Sequence, residues 1–189
     1  MADFRELMKM RRAVRDYEDR EVPVSLIREI IIDACEAPSG GNRQPWGFAV
    51  VTDRELMKRL SDESKRNLLE DMKTIRSPIL RMYRPVLSKA EFNVYYNAPC
   101  LVFITGLTGV HSAPADCSLA AAYFMLSAAD RGLGTCWIGL GSHIKDRSLL
   151  DEMGIPENHR IISTLILGYP RTLPAKPPRN APKIFRIIG

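Results

Sequence analysis

Signatures of metal and nucleotide sites are scarce in this sequence of 189 residues. It holds three histidines, none at an i, i+4 spacing, and four cysteines whose spacings match no C-x-x-C pattern. A zinc site, or any metal site built on histidines, is therefore not expected. The glycines form neither G-x-G-x-x-G nor a G-K-[ST] P-loop, and no G-x-S-x-G elbow occurs. The fingerprints of Rossmann, P-loop and α/β-hydrolase sites are thus missing.

Long hydrophobic runs are missing as well. The longest stretch without a charged residue is 92–115, and Asn97, Pro99 and Gly106 interrupt it. Such a stretch predicts a buried strand and not a membrane span. The first residues carry charges in every turn, unlike a signal or transit peptide. We therefore expect a cytoplasmic protein that does not enter a membrane.

The composition is that of an ordinary globular domain. Hydrophobic residues make up 46% and charged residues 26%, and no repeat or low-complexity block occurs. The length and composition predict a single domain over residues 1–189. The cysteines, Cys35, Cys100, Cys117 and Cys136, each stand among apolar residues, which is typical of reduced thiols in a core.

The net charge of +5 is concentrated in one segment. Residues 58–89 contain nine Lys and Arg against four Asp and Glu, a surplus of five. With several tyrosines nearby, this segment could form a nucleic-acid surface, with Lys65, Arg66, Arg76 and Arg81 as contacts. No known nucleic-acid module accompanies it, so a solvated helical face or a cover over an anionic ligand is favoured.

Hydrophobic periodicity and capping signals predict a mixed order of helices and strands. Helices are expected over 3–12, 24–37, 54–72 (capped by Asp53), 145–153 and a fully buried central helix capped by Asp116. Strands are expected over 47–52, 100–106 and 160–170, with 135–142 as a strand end or loop. This order fits an α+β fold. Residues 73–96 are interpreted as an irregular or partly helical excursion, a lid or partner contact.

Three stretches concentrate groups that bind anions or donate hydrogen bonds. These are "RRAVR" at 11–15, "APSGGNRQPW" at 37–46, and the basic tail with Lys176 and Arg179. Guanidinium groups from separate segments often converge on one phosphate. The first stretch also suits a basic last turn of a helix, which the helix dipole favours. With few histidines available, catalysis should depend on a cofactor that the chain positions.

Taken together, these stretches resemble the flavin-dependent nitroreductase family over nearly the whole chain. The matching pieces occur in the family's order. They are "RRAVRDYEDREVP", "ACEAPSGGNRQPWGFAVV", "YNAPCLVFI", "DCSLAAAYFMLSAADRGLGTCWIG" and "MGIPENHRIISTLILGYP", followed by the basic tail. The resemblance implies an α+β fold with a central mixed or antiparallel sheet flanked by helices, and a C-terminal tail packed on a partner subunit.

The resemblance also implies an FMN held at the interface of a homodimer. It assigns the flavin phosphate to Arg11, Arg12, Lys176 and Arg179, and a cation near the flavin N1/O2 edge to Arg15. It assigns the cover supplied by the partner subunit to Pro38, Ser39, Gly40, Asn42 and Gln44, with Trp46 in the core.

Two further positions follow from the resemblance. Ile138 and Gly139 would lie beside flavin N5 and act through their main-chain N–H groups. Ala13 stands where the family commonly has Ser, which leaves a backbone contact at most. No catalytic side chain and no metal are implied, and residues 73–96 match no motif of the family.

The activity expected from the resemblance is an FMN-dependent oxidoreductase. It would take a hydride from NAD(P)H at flavin N5 and pass it to a nitroaromatic, a quinone or a similar electron-poor acceptor, with ping-pong kinetics. An FMN-dependent biosynthetic or dehalogenating enzyme of the same fold is the first alternative. A basic dimer that binds nucleic acid through residues 58–89 is the second.

Overall fold

The computed structural model describes residues 3–74 and 77–189. Within them the chain forms six α-helices and four strands. In chain order these are α1 (Phe4–Met10), α2 (Val24–Ala34), β1 (Trp46–Val51), α3 (Arg54–Thr74), α4 (Pro78–Leu87), β2 (Cys100–Leu107), α5 (Ala113–Asp130), β3 (Gly134–Trp137), α6 (Arg147–Glu152) and β4 (His159–Gly168). Short 3₁₀ turns occupy Gly40–Asn42 and Gly139–Gly141.

The four strands form one sheet in the order β1-β2-β4-β3, and all neighbouring strands are antiparallel. The α+β class is confirmed, and of the two sheet types expected the antiparallel one is found. Beyond β3, Ala13 makes a parallel bridge to Thr135, so the segment that follows α1 covers part of that edge. At the other edge, β1 has no strand neighbour among the described residues except β2.

Side chains of β2 alternate between two apolar layers, as the period of a strand requires. Leu101 and Phe103 pack on the side of α3, with Tyr95. Val102 and Ile104 pack on the side of α2 and α5. Since both faces are covered, β2 is buried from Cys100 to Gly106, as its unbroken apolar sequence predicted.

The prediction for α5 was wrong in two respects. The helix begins at Ala113, so Asp116 is not its cap but a buried residue of the first turn. Its carboxylate accepts the N–H of Gly40 at 3.0 Å. The helix is also not fully buried, because Leu119 and Tyr123 are 42% and 40% exposed. The cap predicted at Asp53 is confirmed, since its Oδ1 accepts the N–H of Leu56 at 2.6 Å.

The excursion over 73–96 contains one helix, α4, and a loop that returns to the core. Ser77 accepts the N–H of Leu80 at 3.4 Å and caps α4. The returning loop buries Val94 and Tyr95 completely. Residues 75 and 76 lie outside the described residues, and with them the Arg76 of the proposed nucleic-acid surface.

Three of the four cysteines lie in the core, as the sequence predicted. Cys100, Cys117 and Cys136 are buried, Cys35 is half-buried, and all four are free. Burial raises the pKa of the Cys100 thiol to about 12 and that of Cys117 to about 11. The three buried cysteines are therefore unreactive core residues at neutral pH. No described helix is long and apolar enough to cross a membrane.

Candidate functional site

A pocket of about 330 Å³ lies where the end of β3, the segment after α1, and α4 meet. We call it the main pocket. It is lined by Arg15, Ile79, Leu80, Tyr83, Tyr96, Trp137, Ile138, Gly139 and Leu140. Three of these residues are aromatic and none is acidic, so the charge of Arg15 has no counterion among the described residues of the lining. The main pocket therefore suits a flat ligand with an electron-rich or anionic edge.

The backbone turn that follows β3 lies against this pocket. Ile138 donates its N–H to the carbonyl of Thr164 at 2.8 Å, and its own carbonyl accepts the N–H of Gly141 at 3.1 Å. Gly139 opens the 3₁₀ turn, and the first N–H of a helical turn has no acceptor within it. A Cβ added at Gly139 would meet no atom within 4 Å. Of the two amides predicted beside a flavin, the one at Ile138 is already engaged, and the one at Gly139 remains.

Arg15 and Tyr96 form another part of the pocket wall. The Arg15 guanidinium carbon lies 5.6 Å from the centre of the Tyr96 ring, in a cation–π arrangement. Tyr96 and the next residue, Asn97, have φ angles of 55° and 52°. Asn tolerates left-handed backbone, but for a bulky residue such as Tyr96 it is costly and persists only where the surroundings enforce it. The fold thus maintains a strained backbone to present the Tyr96 ring to the pocket.

A second, smaller pocket of about 70 Å³ lies further along the same two segments. We call it the arginine pocket, because Arg11 and Arg12 line it with Thr135 and Leu173. Arg12 donates through Nη1 to the carbonyls of Lys9 and Arg11, which places its guanidinium at the end of α1. Its buried Nε has no hydrogen-bond partner among the described residues. Arg12 therefore serves the helix end, as the helix-dipole interpretation predicted, and still holds one unused donor.

The two pockets follow one another along residues 11–15. Val14 donates its N–H to the carbonyl of Thr135 at 2.9 Å, which holds this segment against β3. Four residue steps of extended chain span roughly 13 Å. The pair of pockets therefore fits an elongated ligand with an anionic end at Arg11 and a flat end between Arg15 and Gly139. Ala13 lies between them and is exposed.

The loop over residues 37–45 is polar and carries hydrogen bonds within itself. Gly41, Asn42 and Gln44 all have positive φ angles, of 59°, 53° and 47°. Gln44 donates its N–H to Ser39 Oγ and its side-chain amide to Asn42 Oδ1, both at 3.0 Å. The polar side chains predicted to bind a ligand thus bond one another in this structure. The strained backbone is consistent with a functional loop.

The loop does not reach the two pockets of its own chain. The loop enters β1, and Trp46 pairs with Gly106 at one edge of the sheet, whereas Ile138 follows β3 at the other edge. Three strand spacings separate these edges, roughly 14 Å. Trp46 itself is half-buried against the layer of α2 and α5, so the prediction that it belongs to the core holds in part.

The tail over residues 171–189 is exposed and has no helix or strand. Leu173 lines the arginine pocket, so the tail starts beside it. Lys176 and Arg179 make no hydrogen bond or ion pair with any described residue. Their placement at a phosphate stays a prediction.

Asp116 anchors the loop, and its replacement should release it. The residue is 4% exposed, and its Oδ1 holds the Gly40 N–H. Asp116→Ala is expected to destabilise the protein by about 1–2 kcal/mol and to speed trypsin cleavage after Arg43. Asp116→Asn keeps an acceptor for Gly40 and serves as the matched control. Cleavage of the alanine variant at the wild-type rate would contradict this role.

Several lining residues were not identified from the sequence. Ile79, Leu80 and Tyr83 lie on α4, whose apolar residues recur at helical spacing and could have revealed the helix. No sequence pattern marks Tyr96 or Trp137 as a pocket residue. Tyr96 is placed by its positive φ angle and Trp137 by its position at the end of β3, and neither feature can be read from the sequence.

Five of the eight described Lys and Arg of residues 58–89 have an acidic partner. Lys58 and Lys65 both pair with Asp62, at 3.4 and 3.0 Å, and Lys65 is only 7% exposed. Further ion pairs join Arg59 to Glu152, Arg66 to Glu63 and Lys73 to Glu70. These contacts weaken the nucleic-acid alternative, because two of the four residues proposed for it already have acidic partners.

The chain is similar to proteins with related names over most of its length. An Archaeoglobus fulgidus protein named "Putative NADH dehydrogenase/NAD(P)H nitroreductase" is 31% identical over 172 residues, covering 90% of this chain and 87% of its own. An iodotyrosine deiodinase of Thermotoga neapolitana is 26% identical and covers 93% of this chain and 92% of its own. A Bacteroides fragilis nitroreductase solved with bound FMN superimposes with a TM-score of 0.84 at 26% identity, covering 99% of this chain and all of its own.

The family comparison covers the segments that build both pockets. The model described as "Nitroreductase family" matches residues 8–169, which include the arginine segment, the loop before β1 and the turn after β3. With a match over most of the chain and a relative at 31% identity, the chain belongs to the nitroreductase family.

Proposed function

We propose that the protein is an FMN-dependent oxidoreductase that transfers electrons from NAD(P)H to a nitroaromatic, a quinone or a similar electron-poor acceptor. The observation that carries this proposal is that residues 11–15 contribute to both pockets. Arg11 lines a small cationic pocket, and Arg15 lines an apolar, aromatic pocket that also holds the Gly139 turn. FMN combines a phosphate with a flat heteroaromatic ring and has the matching chemistry.

The residues present fit this cofactor. Arg11, and the unused Nε of Arg12, would donate to the phosphate. The Gly139 N–H would donate to the ring edge beside it, and Arg15 would stabilise negative charge on the opposite edge. When bound, FMN would supply the two-electron redox chemistry, accepting a hydride and passing the electrons to the acceptor. The protein's own part is to bind, orient and shield the group.

Helix α4 would exclude water from the main pocket. Ile79, Leu80 and Tyr83 bring apolar and aromatic surface over the Gly139 turn. A dry pocket strengthens the interaction of Arg15 with a developing negative charge, because fewer water dipoles screen it. This role agrees with the lid that was predicted for residues 73–96.

A homodimer would complete the site. The loop with Pro38, Ser39, Gly40, Asn42 and Gln44 lies across the sheet from the pockets of its own chain, so a second copy would have to supply it as a cover. Apolar surface that is exposed in the single chain supports such an assembly. Val24, Ile32 and Val50 line an open groove of about 490 Å³ beside β1 and are 63%, 64% and 40% exposed.

The tail supports the same assembly. The tail exposes four large apolar side chains to water. These are Ile184, Phe185, Ile187 and Ile188, which are 66–98% exposed. We expect the tail to pack on the partner subunit, where Lys176 and Arg179 would add positive charge at the phosphate. A cytoplasmic location also stays a prediction from the sequence.

Reductive dehalogenation is the second candidate. The supporting observation is the match to the Thermotoga neapolitana deiodinase, which spans nearly all of both chains. The main pocket suits an iodinated phenol as well as a nitroarene, since its walls are aromatic and apolar. An acceptor panel therefore decides between the two reactions.

Steady-state kinetics with both nicotinamides test the proposed reaction. Nitrobenzoate, menadione and 3-iodotyrosine serve as acceptors, with free FMN and no protein as the control. Because donor and acceptor would use one pocket in turn, parallel lines are expected in double-reciprocal plots. Turnover of 3-iodotyrosine alone would favour dehalogenation. Failure with every donor and acceptor, despite bound FMN, would contradict both.

A further inference from the structure

The 3₁₀ turn Gly139–Gly141 is held by two buried hydroxyl groups from outside it. Ser64 on α3 donates its hydroxyl to the carbonyl of Leu140 at 2.6 Å and accepts the N–H of His143 at 3.3 Å. Tyr95 donates its hydroxyl to the carbonyl of Gly141 at 2.8 Å. Ser64 and Tyr95 are both 0% exposed. Every carbonyl of the turn is bonded, since Gly139 accepts from Ser142 Oγ at 3.2 Å.

These bonds fix the direction of the Gly139 amide. A peptide unit is planar and trans, so its C=O and N–H point in opposite directions. The Ile138 carbonyl points into the turn, where it accepts from Gly141. The N–H of Gly139, in the same peptide unit, therefore points out of the turn. Its direction is as rigid as the turn itself.

The rigidity of the turn comes from Tyr95 and α3. The Tyr95 ring lies so close that a Cβ at Gly141 would be 2.4 Å from it. Behind the ring stands Phe103, in an edge-to-face contact at 6.4 Å. Next to Ser64, the buried Glu63 accepts the N–H of Asp146 at 3.2 Å, and Asn67 donates to the carbonyl of His143 at 2.8 Å. The chain from the turn to α6 is thus bound to one face of α3.

We propose that Ser64 and Tyr95 are positioning residues of the cofactor site, which hold the Gly139 N–H in the direction that a flavin edge requires. This inference rests on the proposed function, because it takes the Gly139 amide as the donor to FMN. Ser64 and Tyr95 do not line the main pocket, so they act through the turn.

Ser61 provides a matched control on the same helix. It lies one turn before Ser64, is 1% exposed, and accepts the N–H of Val94 at 3.0 Å. Ser61 and Ser64 thus each accept a backbone N–H, but only Ser64 bonds to the turn. Ser61→Ala loses one hydrogen bond and Ser64→Ala loses two, so both should lower the melting temperature, Ser64→Ala by somewhat more.

The test compares both variants and Tyr95→Phe by two measurements. Hydrogen–deuterium exchange of the FMN-free protein reports on the turn, and quenching of flavin fluorescence gives the Kd for FMN. Ser64→Ala and Tyr95→Phe are expected to speed exchange over residues 139–143 and to weaken FMN binding about tenfold, the effect of one lost hydrogen bond. Ser61→Ala should do neither.

Each outcome bears on a separate claim. Equal FMN affinity in Ser61→Ala and Ser64→Ala would overturn the inference while leaving the proposed cofactor intact. Failure of the wild-type protein to bind FMN would instead remove the proposed function, and the inference that rests on it. Tyr95→Phe keeps the ring that packs on Gly141, so it decides the question if Ser64→Ala does not fold.

Discussion

Arg11→Ala is expected to weaken FMN binding roughly 10- to 100-fold, since a charge-assisted hydrogen bond contributes about 1.5–3 kcal/mol. Arg11 lines the arginine pocket and makes no ion pair with any described residue, so its charge is available to a ligand. Little stability should be lost, because no contact that holds the fold is removed. Fluorescence titration with FMN measures the affinity, and a thermal melt measures the stability.

Arg5 and Arg179 complete this experiment. Arg5 is exposed on α1, so Arg5→Ala removes the same charge away from the pocket and should leave the Kd unchanged. Arg179→Ala is expected to weaken FMN binding as well, because the tail would bring this charge to the phosphate. Unchanged affinity in both Arg11→Ala and Arg179→Ala would remove the phosphate assignment, whatever the stability of the variants.

Replacement by alanine is expected to change the stability of the protein at Gly141 but not at Gly139, although both glycines belong to one turn. At Gly141 a Cβ would lie 2.4 Å from the buried Tyr95 ring, so Gly141→Ala should destabilise the protein by about 1–3 kcal/mol through overpacking. At Gly139 a Cβ meets nothing within 4 Å. Gly139→Ala should therefore leave stability within about 0.5 kcal/mol.

FMN binding should depend on Gly139, although the stability of the protein does not. The open space beside Gly139 belongs to the main pocket, so a methyl group there would stand between the Gly139 amide and the flavin edge. Gly139→Ala is expected to keep the melting temperature and weaken FMN binding. Chemical denaturation and FMN titration of both variants separate the two effects. A Gly139→Ala protein with normal FMN affinity would place the flavin elsewhere.

Elements with a strong period were predictable from the sequence. The span of α3 and the buried β2 were predicted within two residues, because their apolar spacing leaves little choice of structure. Helix ends were less certain, and α2 stops at Ala34 instead of residue 37. Asp116 was misread as a cap because its partner, the Gly40 amide, is 76 residues away.

The candidate site was predictable in part. The sequence singled out Arg15 and Gly139, and the fold brings them to one pocket although more than a hundred residues separate them. It did not reveal that the Ile138 amide is engaged by Thr164, since strand pairing is a tertiary property. Nor could it show that Ser64 and Tyr95 secure the turn, because a buried hydroxyl has no sequence pattern of its own.

An anaerobic absorption spectrum of the purified protein tests the central claim most directly. It is recorded before and after addition of NADH and, separately, of NADPH. The proposed function predicts a stoichiometric flavin spectrum that bleaches with at least one of the two donors. A protein that carries no flavin, and takes up none on reconstitution with FMN, would contradict the claim.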